Sequence, residues 1–439
     1  MSYPERTVVT GAGLAGFRTV EELRRRGYSG QLTLIGAEDR PPYDRPPLSK
    51  RVLTDGIDPS LNADFASLDV DFRPAETAVA LEAPAPAAPA PATPASPAPA
   101  QPARESALIT NRDKYAFDHL VIATGSVPVT LPGPGPQRVL RTYDDALALR
   151  ALLRPGLRLA IVGAGWIGAE LATAAAAAGC QVTVVEAGPA PLAGALGAAA
   201  GARTAPWYEQ AGVELRTGTA VESVERGGLA LAGGWLAADE IVTAVGVRPA
   251  VSWLAGSGLV LDNGVAVDPG LRASLPGVYA AGDCAAFASL RFGVRLRVEH
   301  WETALHAPEV VAANIAGGAE VYDPVPYFWS EQFGRMVQYA GHHAAADRLV
   351  WRGDPDAATW SACWLSGDTR RLTAVLTVNR PRDLLQGRRL IAAGAEVDAL
   401  RLADPAVAVK DVAVKDAVVK DAAVKDAAVK DTAVKDTAS

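Results

Sequence analysis

Two stretches of the chain pass through the same change of period. Near the N-terminus the β-branched run "TVVT" breaks at Gly11, Gly13 and Gly16, enters a stretch whose apolar positions recur at helical spacing, and returns to an apolar run that ends near Glu38. This order predicts strand, tight turn, helix and strand. The pattern then repeats: "LRLAIV", then Gly163, Gly165 and Gly168, an alanine-rich helical stretch, and "QVTVVE", which closes on Glu186. Shorter runs, "ETAVALEA", "SALITNRDKYAFDHLVIATG", "RMVQYAGH" and "RLTAVLTVN", read as further strands.

The glycines have distinct physical tasks in such a unit. The first makes the tight turn, the second lets a pyrophosphate approach the backbone, and the third lets helix and strand pack closely. The helix N-terminus then receives the phosphates on its unpaired N–H groups. Glu38 and Glu186 stand where an acid accepts from a ribose hydroxyl. A glycine triplet alone is weak evidence; strand before, helix after and acid at that distance make a dinucleotide fingerprint. Two fingerprints imply two dinucleotides, the competing reading being a duplicated fold with one disabled site. Glu186 also bears on which nicotinamide cofactor binds. A carboxylate holds a ribose 2′-hydroxyl but repels a 2′-phosphate, and no arginine follows it in "EAGPAPLAG", so NADH is expected over NADPH. The economical chemistry for such a pair is hydride transfer from a nicotinamide to a flavin, with FAD in the first site.

Composition sets bounds and removes two segments from the fold. A chain of 439 residues suggests two or three domains, and 49% apolar with 21% charged residues is an ordinary globular balance. The alanine run "LATAAAAAG" is far short of the roughly 20 apolar residues a bilayer span needs. A candidate strand so near the start leaves no room for a signal peptide, and a cytoplasmic protein is expected. Cys180, Cys284 and Cys363 match no zinc or CxxC spacing, which fits a reducing compartment and no metal site. A formal net charge of −7 argues against a nucleic-acid partner. Residues 83–104 are too rich in proline for helix or sheet and read as an enlarged, extended loop between two strands. Residues 405–439 carry Lys-Asp pairs on a five-residue period that matches neither helix nor strand. They read as a disordered tail, with a partner-binding helix as the alternative.

The segments "AEDRPPYDRPPLSK", "DHLVIATGSVP", "TAVGVRPA", "GVYAAGDCAAF", "RVEHWETALHAP" and "YFWSEQFG" occur in that order. Together they resemble the FAD-dependent ferredoxin reductases that serve Rieske dioxygenases and bacterial cytochromes P450, the putidaredoxin reductase type. The resemblance runs from about Thr7 to Asp404. It implies an α/β protein of two Rossmann-like dinucleotide-binding domains, on the glutathione-reductase-like plan, plus a C-terminal α+β domain. The FAD domain would span residues 1–140 and 244–321, the NADH domain 141–243, and the C-terminal domain, covering the flavin, 322–404. The implied activity carries electrons from NADH through FAD, one at a time, to a [2Fe–2S] ferredoxin.

Carried over residue by residue, the resemblance places Gly11, Gly13, Ala15, Gly16, Glu38, Arg45, Thr124, Gly125 and Asp283 at the FAD, with Trp301 and Trp329 at the flavin edge. Gly163, Gly165, Ile167, Gly168, Glu186 and Gly246 would hold the NADH. Lys50 would stand near the isoalloxazine ring with Glu170 as its acid partner, stabilising negative charge on the reduced ring. Lys50, Glu170 and Trp301 are the expected catalytic set. His300 is expected to be structural, since hydride transfer to a flavin requires no acid or base. No cysteine occurs in "PPYDRPPLSKRVLTDG", which speaks against the thiol chemistry of disulfide reductases. Such ferredoxins are commonly acidic, so Arg291, Arg295 and Arg297 are expected to dock the partner by charge steering, against the alternative of solvated loop arginines. Two other activities stay open: reduction of a quinone, oxygen or a monodehydroascorbate-like radical, and NADH-sensing of the apoptosis-inducing-factor kind.

Overall fold

The computed structural model describes residues 5–83, 106–367 and 369–414; most of the proline-rich insert and the repeats of the tail lie outside the described residues. The first predicted strand, Arg6–Thr10, is the centre of a five-stranded parallel sheet. Its order is Val278–Ala280, His119–Ile122, Arg6–Thr10, Gln31–Ile35, Val70–Arg73. Parallel strands covered on both faces read as continuous apolar runs, and Val8, Val9, Leu34, Leu120, Val121 and Ile122 are all buried. Helix Leu14–Arg25 buries Phe17, Val20 and Leu23, one stripe at helical spacing, and lies along helix Trp301–Ile315.

The second fingerprint builds a four-stranded parallel sheet in the order Glu214–Arg216, Gln181–Val185, Arg158–Val162, Glu240–Thr243. Its alanine-rich helix, Trp166–Ala177, buries Ala169, Leu171, Ala172 and Ala175 against that sheet. The third unit is a five-stranded antiparallel sheet, ordered Tyr327–Gln332, Arg335–Gly341, Leu372–Val378, Trp360–Leu365, Arg348–Arg352, with helix Pro381–Ala392 laid across it.

The structure moves two expected boundaries. The passage into the second unit comes before residue 140. Val224 N donates to the Pro132 carbonyl at 2.8 Å, and the N–H groups of Gly135 and Arg138 donate to Val224 and Ile241 carbonyls, both at 2.9 Å. Residues 132–138 therefore satisfy backbone groups of the second unit, which would otherwise be left unpaired. The tail was expected to loosen at residue 405, yet the chain stays packed through Val414. Val409 and Val412 are buried, and Val414 N donates to the Glu396 carbonyl at 2.9 Å. The cause is Arg352, whose buried guanidinium pairs with Asp383 and donates to the carbonyls of Leu402, Asp404 and Val407. A buried guanidinium needs its donors met, and this stretch supplies the acceptors. The insert departs and returns at one hairpin end, because its flanking strands Ala78–Glu82 and Ala107–Thr110 pair antiparallel with Glu82 opposite Ala107.

Candidate active site

Two cradles follow from the glycines. Gly11 adopts φ +105°, and a Cβ there would sit 2.1 Å from the Ala123 carbonyl oxygen; Gly163 adopts φ +102°, with its Cβ 2.4 Å from the Ala244 oxygen. No L side chain fits either position. Gly13 and Gly165 cap the following helices with nearly the same dihedrals, −79°/−169° and −76°/−169°, and neither cap receives a side-chain hydrogen bond. The space beside them is open: a Cβ on Gly165 would touch nothing within 4 Å. Unpaired N–H groups at a helix start beside open space are the chemistry that a pyrophosphate needs, so both turns fit a dinucleotide. Gly16 and Gly168 instead pack against the turn itself, a Cβ falling 1.9 Å and 2.0 Å from the Gly11 and Gly163 carbonyls.

A single cavity of about 1290 Å³ joins the two units. Gly11, Gly13 and Ala15 of the first turn line it at one end, and Trp166, Ile167 and Glu170 of the second helix reach it at the other. Glu38, Arg45, Lys50, Thr124, Gly125 and Asp283 line it too, and Trp301 and Trp329 form part of its roof. The remaining residues expected at the second nucleotide, Gly163, Gly165, Gly168, Glu186 and Gly246, stand away from its wall. Glu186 accepts from the N–H groups of Ala164 at 2.8 Å and Gly188 at 2.7 Å, which bends its own loop around the open turn.

Charge is paired throughout this cavity. Lys50 Nζ donates to Glu170 Oε2 at 2.9 Å, the expected pair, and Glu170 is only 4% exposed. The same carboxylate accepts from the hydroxyls of Ser49 and, at 2.6 Å, Ser330. Glu38 accepts from Tyr43 at 2.6 Å and Arg45 at 2.9 Å, so the first acid is held by side chains. Burial pushes the Tyr43 phenol up to about 12, which keeps it a donor to that carboxylate. Asp283 accepts from Ser126 at 2.8 Å and from Arg141 at 3.0 Å. Thr124 donates to the Ala250 carbonyl at 2.9 Å and so anchors the turn at Gly125. Trp301 Nε1 donates to Asp44 at 2.9 Å, and its ring meets Trp329 edge-on at 5.9 Å. His300 lies against Phe328 at 4.7 Å with Nδ1 unpartnered, and burial depresses its pKa to about 4. A neutral, packed imidazole suits a structural role. The Cys284 thiol is buried, donates to the Ile122 carbonyl at 3.3 Å, and is pushed up by burial, away from the reactive thiolate.

The three arginines expected at the docking surface all have partners within the chain. Arg291 donates to the Ile391 and Ala392 carbonyls, neutralising the C-terminal end of helix Pro381–Ala392. Arg295 donates to the Val267 and Ala286 carbonyls, and Arg297 pairs with Glu299 and donates to the Asp283 carbonyl. Each guanidinium has partners within its own chain, and Arg295 remains exposed. Sequence reasoning also missed Tyr43, Ser49, Arg141 and Ser330. Tyr43 and Ser49 sit in a segment already singled out, but Arg141 meets Asp283 across 142 positions, and no local pattern marks that contact.

Comparison with known proteins now decides the lineage. The profile described as pyridine nucleotide-disulphide oxidoreductase matches residues 5–307, and the one described as reductase C-terminal matches residues 327–413. The chain belongs to the pyridine nucleotide-disulphide oxidoreductase family. Within it, the chain is 36% identical over 416 residues to the anthranilate 1,2-dioxygenase system ferredoxin–NAD(+) reductase component of Burkholderia cepacia, covering 92% of this chain and 98% of the relative. Among solved structures, Fdr9 matches with a TM-score of 0.85 at 46% identity, covering 92% of this chain and 99% of that one. The covalent putidaredoxin reductase–putidaredoxin complex matches with a TM-score of 0.84 at 27% identity, covering 93% and 98%. The fold is that of two-dinucleotide-domain flavoproteins with a C-terminal domain, and the cofactors of such ferredoxin reductases are FAD and NADH.

Proposed function

We propose that the protein is a cytoplasmic NADH-dependent flavoprotein reductase that delivers electrons singly to a [2Fe–2S] ferredoxin of a Rieske oxygenase or cytochrome P450 system. One observation carries this reading: the first glycine turn and the second helix open onto one cavity, so the reactive ends of two nucleotides have a common meeting place. FAD, when bound, supplies the chemistry that takes a hydride and gives up single electrons. The chain's own residues do the rest. The Gly11–Gly16 turn holds phosphates, Glu38 accepts from a ribose, and Asp283, set by Ser126 and Arg141, faces the middle of the cavity. Lys50, paired with Glu170, places a cation where negative charge accumulates. The Trp301–Trp329 pair covers part of the cavity. No helix among the described residues is long and apolar enough to cross a membrane, and the three cysteines are free, both in keeping with a cytoplasmic site.

A second basic surface suited to docking lies on helix Pro381–Ala392. Arg382, Leu385 and Arg389 are exposed at spacings that share one helix face. The adjacent Arg388 pairs with Glu302 at 2.6 Å and lies over the Tyr327 ring at 5.2 Å, and Tyr327 stacks on Trp329. A basic face next to the aromatic roof suits an acidic ferredoxin. The deciding experiment is stopped-flow reduction of the FAD-loaded protein by NADH with and without a [2Fe–2S] ferredoxin. Rapid flavin reduction followed by ferredoxin reduction is expected; flavin reduction with no onward transfer would turn the assignment to a small acceptor. Reversing Arg382 and Arg389 to glutamate should lower ferredoxin-linked turnover about tenfold at low salt, less at high salt, and leave flavin reduction by NADH intact.

A further inference from the structure

Strand Tyr327–Gln332 separates two environments. Its side chains alternate, as those of a strand must: Tyr327 and Trp329 face the Trp301 roof, whereas Phe328, Ser330 and Gln332 face helix Trp166–Ala177 of the second unit. On that second face, strand and helix run in register. Trp166 meets Phe328 edge-on at 4.3 Å, Glu170 Oε1 accepts from Ser330 at 2.6 Å, and Thr173 Oγ1 accepts from the Phe333 N–H at 3.0 Å. From Trp166 to Glu170 four helical residues rise about 6 Å, and from Phe328 to Ser330 two strand residues rise about 6.6 Å, so the first two contacts fall in step.

Glu170 sits at the centre of this seam. Ser49 and Lys50 both reach its Oε2, which leaves Oε1 to Ser330. Without that third donor the carboxylate could rotate about its terminal bond, a broad two-fold torsion, and exchange the oxygen that Lys50 holds. Ser330 is fixed in turn by Gln332, whose Nε2 donates to the serine oxygen at 3.1 Å. Both residues are fully buried, and the Gln332 carbonyl oxygen finds no partner among the described residues. An apolar side chain there would avoid that unmet acceptor. What the amide adds is a fixed orientation for the Ser330 hydroxyl.

We infer that Ser330, held by Gln332, is a positioning residue through which the C-terminal domain locks the Glu170 carboxylate and so aims the Lys50 ammonium into the cavity. The inference rests on the reading of Lys50 as the cation beside the flavin ring. It gives the third domain a part in the hydride half-reaction as well as in covering the cavity.

The test uses the full chain loaded with FAD, in variants Ser330→Ala, Ser330→Thr, Gln332→Leu and Glu170→Gln. Two quantities are read without any ferredoxin: the midpoint potential of the bound flavin, by spectroscopic titration, and the rate of its reduction by NADH. Ser330→Ala should slow reduction about tenfold, the scale of one hydrogen bond to a charged group, and shift the potential. Ser330→Thr, which keeps the hydroxyl, should return the rate to within about twofold of the parent. Ser330→Ala placed on Glu170→Gln should add less than about twofold, because the effect runs through the carboxylate. Should Ser330→Ala fail to fold, Gln332→Leu must give the same direction of change at about threefold. Unchanged rate and potential in a flavin-loaded, folded Ser330→Ala protein would overturn the inference, as would full multiplication of the two effects. Failure of ferredoxin reduction with these half-reaction results intact would strike the proposed partner and leave Ser330 where it stands.

Discussion

The first helix starts at Gly13 and the second at Gly165 with dihedrals that agree to within a few degrees, yet the two turns live in different surroundings. Glu38 is gripped by side chains, Tyr43 and Arg45, that a loop brings over it. Glu186 is gripped by the backbone N–H groups of its own unit. The first turn forms a wall of the large cavity beneath Trp301 and Trp329; from the second, only the start of its helix reaches in. The phosphate chemistry is the same, and what distant parts of the chain lay over it differs. A roofed cradle retains its nucleotide while an open one exchanges it, which is what a reductase with one resident cofactor and one consumed cofactor requires.

The harshest way to break this pairing is to fill the turns. Gly11→Ala puts a methyl 2.1 Å from the Ala123 oxygen at φ +105° and should abolish FAD retention, read as loss of the flavin spectrum from the purified protein. Gly163→Ala meets the Ala244 oxygen at 2.4 Å and should leave the protein yellow while NADH reduces it at least about a hundredfold more slowly. Equal flavin loss from both variants would contradict the division of labour. Next in size is the cation that both units share. Lys50→Met keeps the volume and removes the charge, and should slow flavin reduction by NADH about a hundredfold, the scale of losing one preorganised electrostatic group, with little change in NADH affinity.

The two cradles were fully legible as sequence because their constraint is local: strand, turn, helix and acid lie within a few dozen residues, and each glycine has a steric reason. The Lys50–Glu170 pair was reached only through resemblance, since 120 positions separate its members. Arg141 on Asp283 and Ser330 on Glu170 were not legible, because they are tertiary contacts between units. The internal partners of the arginine loop were not legible for a related reason. The carbonyls of Val267, Ala286, Ile391 and Ala392, which hold Arg291 and Arg295, lie far away along the chain or in other strands. The start of the tail misled because Arg352, far upstream, supplies what holds residues 405–414.

Cofactor choice sharpens the comparison at a smaller scale. Glu186→Ala removes the carboxylate proposed to repel a 2′-phosphate, together with the acceptor of the Ala164 and Gly188 N–H groups. The KM for NADH should rise about tenfold while that for NADPH falls, with kcat for NADH within about threefold, as expected when ground-state binding alone is lost. If the ratio of the two cofactors stays where it was, Glu186 is not the determinant.

The smallest effect concerns stability, and it belongs to the roof of the first cradle. Burial against Phe328 holds His300 neutral, with its pKa depressed from 6.5 to about 4. Between those values the unfolded chain binds a proton that the folded chain refuses, so stability is present in full above pH 6.5 and drains away as the pH falls toward 4. The slope from this one group is at most about 1.4 kcal/mol per pH unit, and water in the cavity reduces it. His342 and His343 are depressed by burial too, so the comparison must be internal. His300→Asn removes one titration and leaves theirs. Melting temperatures of the FAD-loaded proteins, taken from pH 7 down to pH 4, should converge as the pH falls, the variant losing less than the parent at each step. Parallel curves would mean that the imidazole is protonated in the folded protein, and that the roof over the flavin carries a charge at exactly the pH where the present geometry gives it none.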